Sequence, residues 1–463
     1  MQLTLGDIAT VLNTRCHAPE RVVTGYSIDS RSIGPGQLFF AMRGPRFDGH
    51  QFLAQVMERK AAGAVVESAF FQQAPPSLAP ALLPVESPLA ALQHLGRWVR
   101  RKWARPLVAV TGSTGKSTTK EMIAALLRRR FSVHKSVGNL NNHYGLPLTL
   151  LALEPEHEIA VVELAMSAAG EIARLALMAE PETGVVTNVA PVHLEFFDSV
   201  ESIAKAKREL VENLSSRTGP PIAVLNNDDP RVQRFAEGFE GKVVTFGLGR
   251  GADFRARGVK PGEGIGSEFR VIGPNLDADF VLPIPGRHNV QNALAAIAVA
   301  SSFDIPPGEM RRGLAEFQNM PQRGESLTLP GPVTIINDCY NSNPQAMECM
   351  LETLRTWPGA RRRILVAGEM LELGWQSPKL HIQVGRKCAQ ANLSWLIAVQ
   401  GDARFFLEGA VAAGLPPAQT RFFPEARAAG EFCLSRLGPG DVVLVKGSRG
   451  VHLETVTEML QEQ

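Results

Sequence analysis

The chain has 463 residues, with 48 lysines and arginines against 46 aspartates and glutamates, so its formal net charge at pH 7 is only +2. This balance argues against a nucleic-acid-binding surface and an acidic tail, so any basic site has to be local. A chain of this length is predicted to form about three domains, each with its own core.

The cysteine pattern and the N-terminus indicate the compartment. The five cysteines are scattered, odd in number and without a CxxC pair, which argues against a disulfide framework and a zinc knuckle. The first residues, MQLTLGDIATVLN, lack the features of a signal peptide, and no apolar run approaches the ~18 residues of a membrane span. We therefore expect a soluble, cytoplasmic protein without a membrane span.

Residues 1–84 are predicted to form a small α/β domain without a phosphate loop. A strand is expected at 37–42, and Asp48, Gly49 and His50 lead into an amphipathic helix. Ser30, Arg31 and His50 carry hydrogen-bonding groups on loops. By chemistry alone, a capping or turn role fits them as well as ligand binding does.

The central domain, residues 85–320, is predicted to begin with the helix Leu89–Trp103 and then to present a phosphate loop. The loop follows the apolar run Val108–Val110 and comprises Gly112, Ser113, Thr114, Gly115, Lys116, Ser117 and Thr118. Its glycines let backbone amides approach phosphate oxygens, its lysine supplies positive charge, and its Ser117 hydroxyl suits Mg²⁺. The standard pattern has glycine where Val110 stands, so this loop is a short variant. The alternative is that this stretch is only a strand, a glycine turn and the start of a helix, without a ligand.

Polar residues follow two further apolar strands of this domain. Glu163 follows the strand at 159–162, and His193 comes shortly after the strand at 184–189. Alternating strands and helices predict a mostly parallel sheet, in which ligands lie at the carboxyl ends of the strands. Gly112, Glu163 and His193 are therefore expected around one crevice. Taken singly, Glu163 could be a helix cap and His193 an ordinary loop histidine.

The rest of the central domain offers weaker signals. Lys205 and Lys207 lie on a predicted helix, and from the sequence alone a solvated basic face is the preferred interpretation. Residues 241–285 predict a small antiparallel insertion or meander. Asn289 and Asn292 lie three apart on one face of an alanine-rich helix, where amides can pair with an adenine edge or simply cap the helix.

The third domain, residues 321–463, again shows a βαβ pattern. Asp338 ends a predicted strand, and the turn Lys446–Arg449 follows another. Such a cationic turn suits a carboxylate or phosphate, and a solvated loop is the alternative. The fold class is thus α/β with three domains: a small α/β domain, a central mostly parallel-sheet domain with a short phosphate loop, and a C-terminal Rossmann-like domain.

Several motifs, taken in order, resemble the Mur ligase family of ATP-dependent amide-forming enzymes over nearly the whole chain. The stretches that carry the resemblance are DSRSIGPGQLFFAMRGPRFDGHQF, TGSTGKSTTKE, NLNNHYGLPLTLL, ELAMSAAGEI, NVAPVHLEFFDS, AKAKRE, GRHNVQNALAA, NDCYNSNP, VAGEMLELG and VKGSR. The short phosphate loop is a further point of similarity. The resemblance implies a ligase that activates a carboxylate as an acyl phosphate with ATP and couples it to an amine, and the first domain would then bind UDP.

The resemblance also implies an ATP site with Mg²⁺. Lys116 would contact the β- and γ-phosphates, and Ser117 and Glu163 would hold one Mg²⁺. His193 and a carbamylated Lys207 would support a second metal ion. The adenine would be read by Asn289 and Asn292, the ribose by Asp338 and the phosphates by Arg323.

For the other substrates, the resemblance implies UDP-N-acetylmuramoyl-tripeptide and D-alanyl-D-alanine, with a monomeric enzyme. Ser30, Arg31 and His50 would lie at the UDP site, and Asn139 and Asn142 at the acyl-phosphate end. Ser448 and Arg449 would meet a substrate carboxylate or phosphate, and the third residue of the tripeptide, lysine or diaminopimelate, stays open. The alternatives are the related ligase that adds the third amino acid and a nucleotide-driven switch or motor.

Overall fold

The first unit is built on a small parallel sheet. The computed structural model describes residues 2–45, 47–192, 194–217, 219–262 and 265–462. The first elements are β1 (Leu3–Thr4), α1 (Leu5–Leu12), β2 (Val22–Val23), β3 (Gly25–Ser27), β4 (Gln37–Phe40), α2 (Leu53–Glu58), β5 (Gly63–Glu67), α3 (Ser68–Phe71) and β6 (Leu82–Val85). β3 to β6 pair in parallel in chain order. β6 ends one residue past the predicted domain boundary at residue 84.

The central unit contains a long, mostly parallel sheet. Its elements are α4 (Pro88–Trp103), β7 (Leu107–Thr111), α5 (Lys116–Leu127), β8 (Val133–Lys135), α6 (Gly145–Leu151), β9 (Ile159–Glu163), α7 (Glu171–Ala179), β10 (Thr183–Val186), α8 (Val200–Glu212), β11 (Ile222–Asn226), α9 (Pro230–Gln233), β12 (Lys242–Gly247), β13 (Phe254–Pro261), β14 (Ser267–Gly273), β15 (Leu276–Leu282), α10 (Arg287–Ser302) and α11 (Pro307–Ala315). Within the described residues the strand order is β15-β14-β13-β12-β11-β10-β7-β9-β8.

The burial of β7 explains why it reads as an unbroken apolar run. Every residue of this strand is buried, because helices cover both faces of the sheet. Val108 and Val110 pack towards α5 and α10, whereas Leu107 and Ala109 pack towards α4, α6 and α7. β7 lies between β9 and β10, which continue the chain on opposite sides of it. The carboxyl end of β7 is therefore a switch point of the sheet, where a ligand crevice is expected.

The segment predicted as a small antiparallel insertion or meander forms the edge of the central sheet. β12 pairs in parallel with β11, β13 pairs in parallel with β12, and only β14 and β15 continue antiparallel. The predicted antiparallel pairing is therefore correct for β13 to β15, whereas β12 pairs in parallel with both of its neighbours. Local alternation predicts the strands, whereas the pairing of β12 and β13 with the sheet is a long-range contact.

The C-terminal unit is a second mostly parallel sheet. Its elements are β16 (Glu325–Leu329), β17 (Val333–Asp338), α12 (Pro344–Arg355), β18 (Arg362–Gly368), α13 (Ser377–Cys388), β19 (Trp395–Val399), α14 (Arg404–Ala412), β20 (Thr420–Phe423), α15 (Ala426–Leu434), β21 (Asp441–Lys446) and α16 (Glu454–Gln461). The strand order is β16-β17-β21-β18-β19-β20, with β16 antiparallel. The three-domain α/β class predicted from the sequence is confirmed. No described helix is both long and apolar enough to cross a membrane.

A buried ion pair fastens α4 to the central sheet. Arg100 is 0% exposed and donates from Nη2 to both carboxylate oxygens of Glu182 at 3.1 Å. Glu182 also accepts the amide of Leu107 at 2.9 Å, at the start of β7. Burial raises the pKa of Glu182 although Arg100 opposes the shift. The pair therefore holds the strand before the phosphate loop to the preceding helix.

Replacing Glu182 with alanine is expected to lower the free energy of unfolding by about 3–5 kcal/mol, because it leaves a buried guanidinium without its carboxylate. Urea or thermal unfolding of the variant measures this. The matched control is Glu352→Ala, which breaks a pair with Arg355 whose side chains are 49% and 47% exposed and is expected to cost about 0–1 kcal/mol. Equal losses in the two variants would contradict the structural importance of the buried pair.

Candidate active site

The phosphate loop turns sharply between β7 and α5. Gly112 and Gly115 have φ angles of +150° and +78°. A Cβ atom at Gly112 would overlap the hydroxyl of Thr187, and one at Gly115 would overlap the side-chain oxygen of Asn292. Both positions thus require glycine for conformation and for space. α5 begins at Lys116, so its first amides and the positive end of its dipole face the loop.

Asn188, two residues past the end of β10, holds the phosphate loop in place. Asn188 accepts the Ser113 amide through its carbonyl at 3.0 Å and the Thr114 amide through its side chain at 2.9 Å. The Ser113 hydroxyl in turn accepts the amide of Ala190 at 2.8 Å. Asn188 was not predicted, although it lies just past the end of β10, at the same edge of the sheet as Glu163 at the end of β9. The rule that ligands lie at the carboxyl ends of parallel strands would therefore also have identified Asn188.

Glu163 lies at the end of β9 and faces the loop. Its carboxylate is 2% exposed and accepts the Ser117 hydroxyl at 2.7 Å and the side-chain amide of Asn141 at 2.8 Å. The next helix, α7, begins only at Glu171, so the alternative that Glu163 caps it is wrong. Lys116 donates from Nζ to the carbonyl of Gly112 at 3.0 Å. Burial lowers the pKa of the Lys116 amine, which Glu163 opposes and Arg323 reinforces.

Asn141, between two predicted site residues, is the residue that reaches Glu163. Asn139 is exposed, and the side-chain oxygen of Asn142 accepts the amides of Tyr144 and Gly145 at 3.0 and 2.9 Å, at the start of α6. The residue of this predicted loop that contacts Glu163 is thus Asn141, rather than Asn139 or Asn142. Backbone geometry inside a loop decides which of several neighbouring asparagines points inwards.

The two lysines of α8 have different environments. Lys205 is exposed, whereas Lys207 is 2% exposed. Burial, followed by the charge of Lys116, lowers the pKa of the Lys207 amine well below its usual value. The interpretation of Lys207 as part of a solvated face is therefore wrong. His193, the other residue predicted at this metal site, lies outside the described residues.

The amides of α10 form a wall of the same crevice. The Asn289 side chain donates to the carbonyl of Pro285 at 2.7 Å, and Asn292 donates to Asn289 at 3.3 Å. Thr119 of α5 donates to Asn292 at 3.2 Å. Both asparagines line the crevice. Part of their hydrogen-bonding capacity therefore joins α10 to the phosphate-loop helix.

The C-terminal unit supplies the opposite wall. Asp338, at the end of β17, pairs with Lys446 at 2.6 Å, and the Arg323 guanidinium lies 3.9 Å from the ring centroid of Tyr340. These residues and the phosphate loop enclose a cavity of about 260 Å³. Tyr340 was not predicted as a site residue, whereas the buried Lys446 begins the cationic turn predicted from the sequence.

The predicted turn after β21 is only partly open to a ligand. Ser448 is 3% exposed, accepts the amide of Leu371 at 2.9 Å and donates to the carbonyl of Ser342 at 3.4 Å. Arg449 is exposed and donates to the side chain of Gln322 at 2.9 Å. The guanidinium of Arg449 is thus accessible to a ligand, whereas the hydroxyl of Ser448 is engaged within the fold.

The first-unit residues lie on a separate loop cluster. Ser30 is buried, whereas Arg31 is exposed and makes a two-point contact with Asp29 at 2.7 and 2.9 Å. Both ring nitrogens of His50 are engaged, one with Asp48 at 2.6 Å and the other with the amide of Glu67 at 3.0 Å. In this conformation His50 orders the loops rather than presenting a free ring nitrogen.

Comparison with known proteins finds one family in each of the three units of the chain. Three family models match: the Mur ligase family catalytic domain at 22–102, the Mur ligase middle domain at 110–300, and the Mur ligase glutamate ligase domain at 322–449. The chain is 33% identical to the UDP-N-acetylmuramoyl-tripeptide–D-alanyl-D-alanine ligase of Bacillus subtilis (strain 168), covering 96% of this chain and 94% of that one.

Comparison with solved structures also finds Mur ligases. A crystal structure of MurF from Acinetobacter baumannii superposes with a TM-score of 0.89 at 29% identity, covering 100% of this chain and 99% of the other. MurF ligase from Thermotoga maritima in complex with ADP gives a TM-score of 0.81 at 28% identity, covering 95% and 97%. The similarity thus spans all three units.

Proposed function

Because the chain belongs to the Mur ligase family, we propose that it is an ATP-dependent ligase that joins D-alanyl-D-alanine to UDP-N-acetylmuramoyl-tripeptide in peptidoglycan precursor synthesis. The observation that carries this proposal is the crevice in which the phosphate loop, Glu163 and the C-terminal unit meet. The T. maritima relative was solved with ADP, which supports a nucleotide in this crevice.

The nucleotide is proposed to lie between the two larger units. Lys116 and the first amides of α5 bind the β- and γ-phosphates, and Arg323 adds charge from the C-terminal unit. Asn289 and Asn292 face the adenine and Asp338 the ribose. Residues 1–84 would bind the UDP-sugar-peptide and residues 85–320 would bind ATP. Residues 321–463 would bind the dipeptide. Cytoplasmic location and a monomeric state remain predictions.

The residues beside the phosphate loop suit Mg²⁺. A buried carboxylate and a serine hydroxyl in contact with it, Glu163 and Ser117, offer the oxygen ligands that Mg²⁺ prefers. No group of three or more His, Cys, Asp or Glu side chains that could hold a metal ion is found among the described residues. Magnesium sites on nucleotides need few protein ligands, since phosphates and water supply the others. When bound, the ion would neutralise charge on the phosphates.

The reaction has two steps that the crevice can support by positioning. An oxygen of the tripeptide's terminal carboxylate attacks the γ-phosphorus of ATP. The bond between the γ-phosphorus and the β,γ-bridging oxygen breaks, so that ADP departs and the tripeptide becomes an acyl phosphate. The free amine of the dipeptide then attacks the acyl carbon, phosphate leaves with the oxygen it gained, and the amine loses a proton. Lys116 stabilises charge on the transferred phosphoryl group throughout.

We also propose that Lys207 is carbamylated. Its neutral amine adds to the carbon of CO₂ and loses a proton, which converts a buried base near Lys116 into an anion. Burial and the neighbouring positive charge both favour the neutral amine that this addition requires. The carbamate would then support a second Mg²⁺ together with His193.

Phosphate release with each substrate omitted in turn tests the proposed function. The proposal expects release only when ATP, the tripeptide and D-alanyl-D-alanine are all present. Release with ATP alone would favour a nucleotide-driven switch. Release with UDP-N-acetylmuramoyl-dipeptide and a free diamino acid, in place of the tripeptide and D-alanyl-D-alanine, would favour the ligase that adds the third residue.

Asn141→Ala is expected to lower kcat about 10–100-fold, because Asn141 orients the carboxylate of Glu163. The comparison is with Asn139→Ala, which changes an exposed side chain two residues away. Steady-state phosphate release under saturating substrates measures both variants. A larger loss at Asn139 than at Asn141 would contradict the assignment.

A further inference from the structure

A second cavity lies directly beside the reaction crevice. It has a volume of about 770 Å³ and lies between α4 and α7. Ala165 lines both this cavity and the crevice. Its wall also includes Asn142, next to the residue that contacts Glu163. A ligand that presents a carboxylate near Glu163 therefore has its adjoining atoms at the mouth of this cavity, which we call the side pocket.

The side pocket is lined by both apolar and positively charged side chains. Apolar side chains from the two helices line it, including Leu89, Trp98 and Leu175. Three arginines, Arg97, Arg101 and Arg174, also line it. This lining suits a ligand group with a methylene chain and a terminal anion.

The two carboxylates near the side pocket, Glu171 and Glu180, offset only part of the positive charge of its three arginines. Arg97 and Arg101 share one carboxylate oxygen of Glu180, at 3.3 and 2.6 Å. The lining carboxylate, Glu171, accepts the backbone amides of Ser167 and Ala168 at 2.6 and 3.1 Å. Arg174, in turn, is exposed and has no carboxylate within 4.0 Å among the described residues. An anionic ligand group would thus find a guanidinium available.

We propose that the side pocket holds the side chain of the tripeptide's third residue and that Arg174 binds a carboxylate on that side chain. The inference rests on the proposed function, in which the third residue carries the carboxyl group that is phosphorylated. Its side chain starts from the carbon atom next to that carboxyl group, so it has to enter a space adjoining the crevice.

The charge of the pocket distinguishes the two candidate third residues. A diaminopimelate side chain is a short methylene chain that ends in both an ammonium and a carboxylate. A lysine side chain ends in an ammonium alone, which would lie among guanidinium groups and repel them. The side pocket therefore selects diaminopimelate.

The test compares kcat/KM for the tripeptide ending in diaminopimelate with that for the tripeptide ending in lysine. The wild type is expected to prefer diaminopimelate by about tenfold or more, the size of effect of one charge-assisted hydrogen bond. Arg174→Gln is expected to remove most of that preference, mainly through KM for the diaminopimelate substrate, and Arg174→Glu to reverse it. The control Arg311→Gln, at an exposed position on α11, is expected to leave both values unchanged.

Equal efficiency with the two tripeptides in the wild type, or an unchanged preference in Arg174→Gln, would overturn the inference and leave the proposed function standing. Dipeptide-dependent phosphate release with neither tripeptide would overturn the proposed function, and the inference with it. A parallel loss with both tripeptides in Arg174→Gln would indicate a structural role for Arg174 and would also overturn the inference.

Discussion

Lys116→Ala is expected to lower dipeptide-dependent phosphate release about 10²–10³-fold while the protein remains folded. Lys116 is the cation of the phosphate loop, and its amine lies against the carbonyl of Gly112, where the loop turns. Phosphoryl transfer depends mostly on positioning and on stabilisation of charge, so removal of this amine affects the transition state more than the fold.

Lys379→Ala is a suitable control for Lys116→Ala, because Lys379 is an exposed lysine of α13 outside the crevice. ADP affinity and thermal unfolding, measured on both variants, separate loss of catalysis from loss of structure. Amide formation at the wild-type rate in Lys116→Ala would contradict the whole mechanism.

Lys207→Ala is the second change with a large expected effect, a loss of kcat of about 100-fold or more. An alanine cannot carry a carbamate, so the site would lose the anion that supports the second metal ion and balances Lys116. The wild type is expected to lose activity in CO₂-depleted buffer and to regain it when bicarbonate is added. With ¹³C-labelled bicarbonate, a carbamate signal is expected in the NMR spectrum of the wild type.

Lys205→Ala is the matched control, since Lys205 lies two residues earlier on the same helix but is exposed. It is expected to keep both the activity and the bicarbonate response. Wild-type activity in Lys207→Ala, or a bicarbonate response that persists in that variant, would show that Lys207 carries no functional carbamate.

The phosphate loop and the fold class are predictable from the sequence because their signals are local. A contiguous run from Val108 to Glu121 contains the buried strand, the two required glycines, the lysine and the helix start. Parallel strands covered on both faces also read as continuous apolar runs. The same argument places Glu163 at the carboxyl edge of the sheet, where the structure has it.

The burial of an individual helix residue depends on contacts with distant segments. The sequence of α8 therefore does not predict which of its lysines is buried. Lys205 and Lys207 lie two residues apart, about 200° around a helix, so one can face solvent while the other is buried against the protein. The sequence AKAKRE alone does not predict which of the two lysines is buried and which is exposed. Only the packing of α8 on the central sheet decides it.

Loop geometry limits the prediction for the asparagines in a similar way. Asn139, Asn141 and Asn142 have the same chemistry, and the backbone turn determines that Asn141 contacts Glu163 while Asn142 accepts backbone amides at the start of α6. Likewise, the hydroxyl of Ser448 is predicted at a ligand but is engaged within the fold. In both places the type of residue is predictable, whereas the direction of its side chain depends on contacts made by distant segments.

Isotope transfer tests the central claim, that the crevice joins a phosphoryl group to a carboxylate before the amide forms. The tripeptide is prepared with ¹⁸O in both oxygens of its terminal carboxylate and allowed to react with ATP and D-alanyl-D-alanine. The mechanism predicts that each released phosphate carries one ¹⁸O and that the new amide keeps the other. Phosphate without ¹⁸O, released together with amide product, would contradict the acyl-phosphate route.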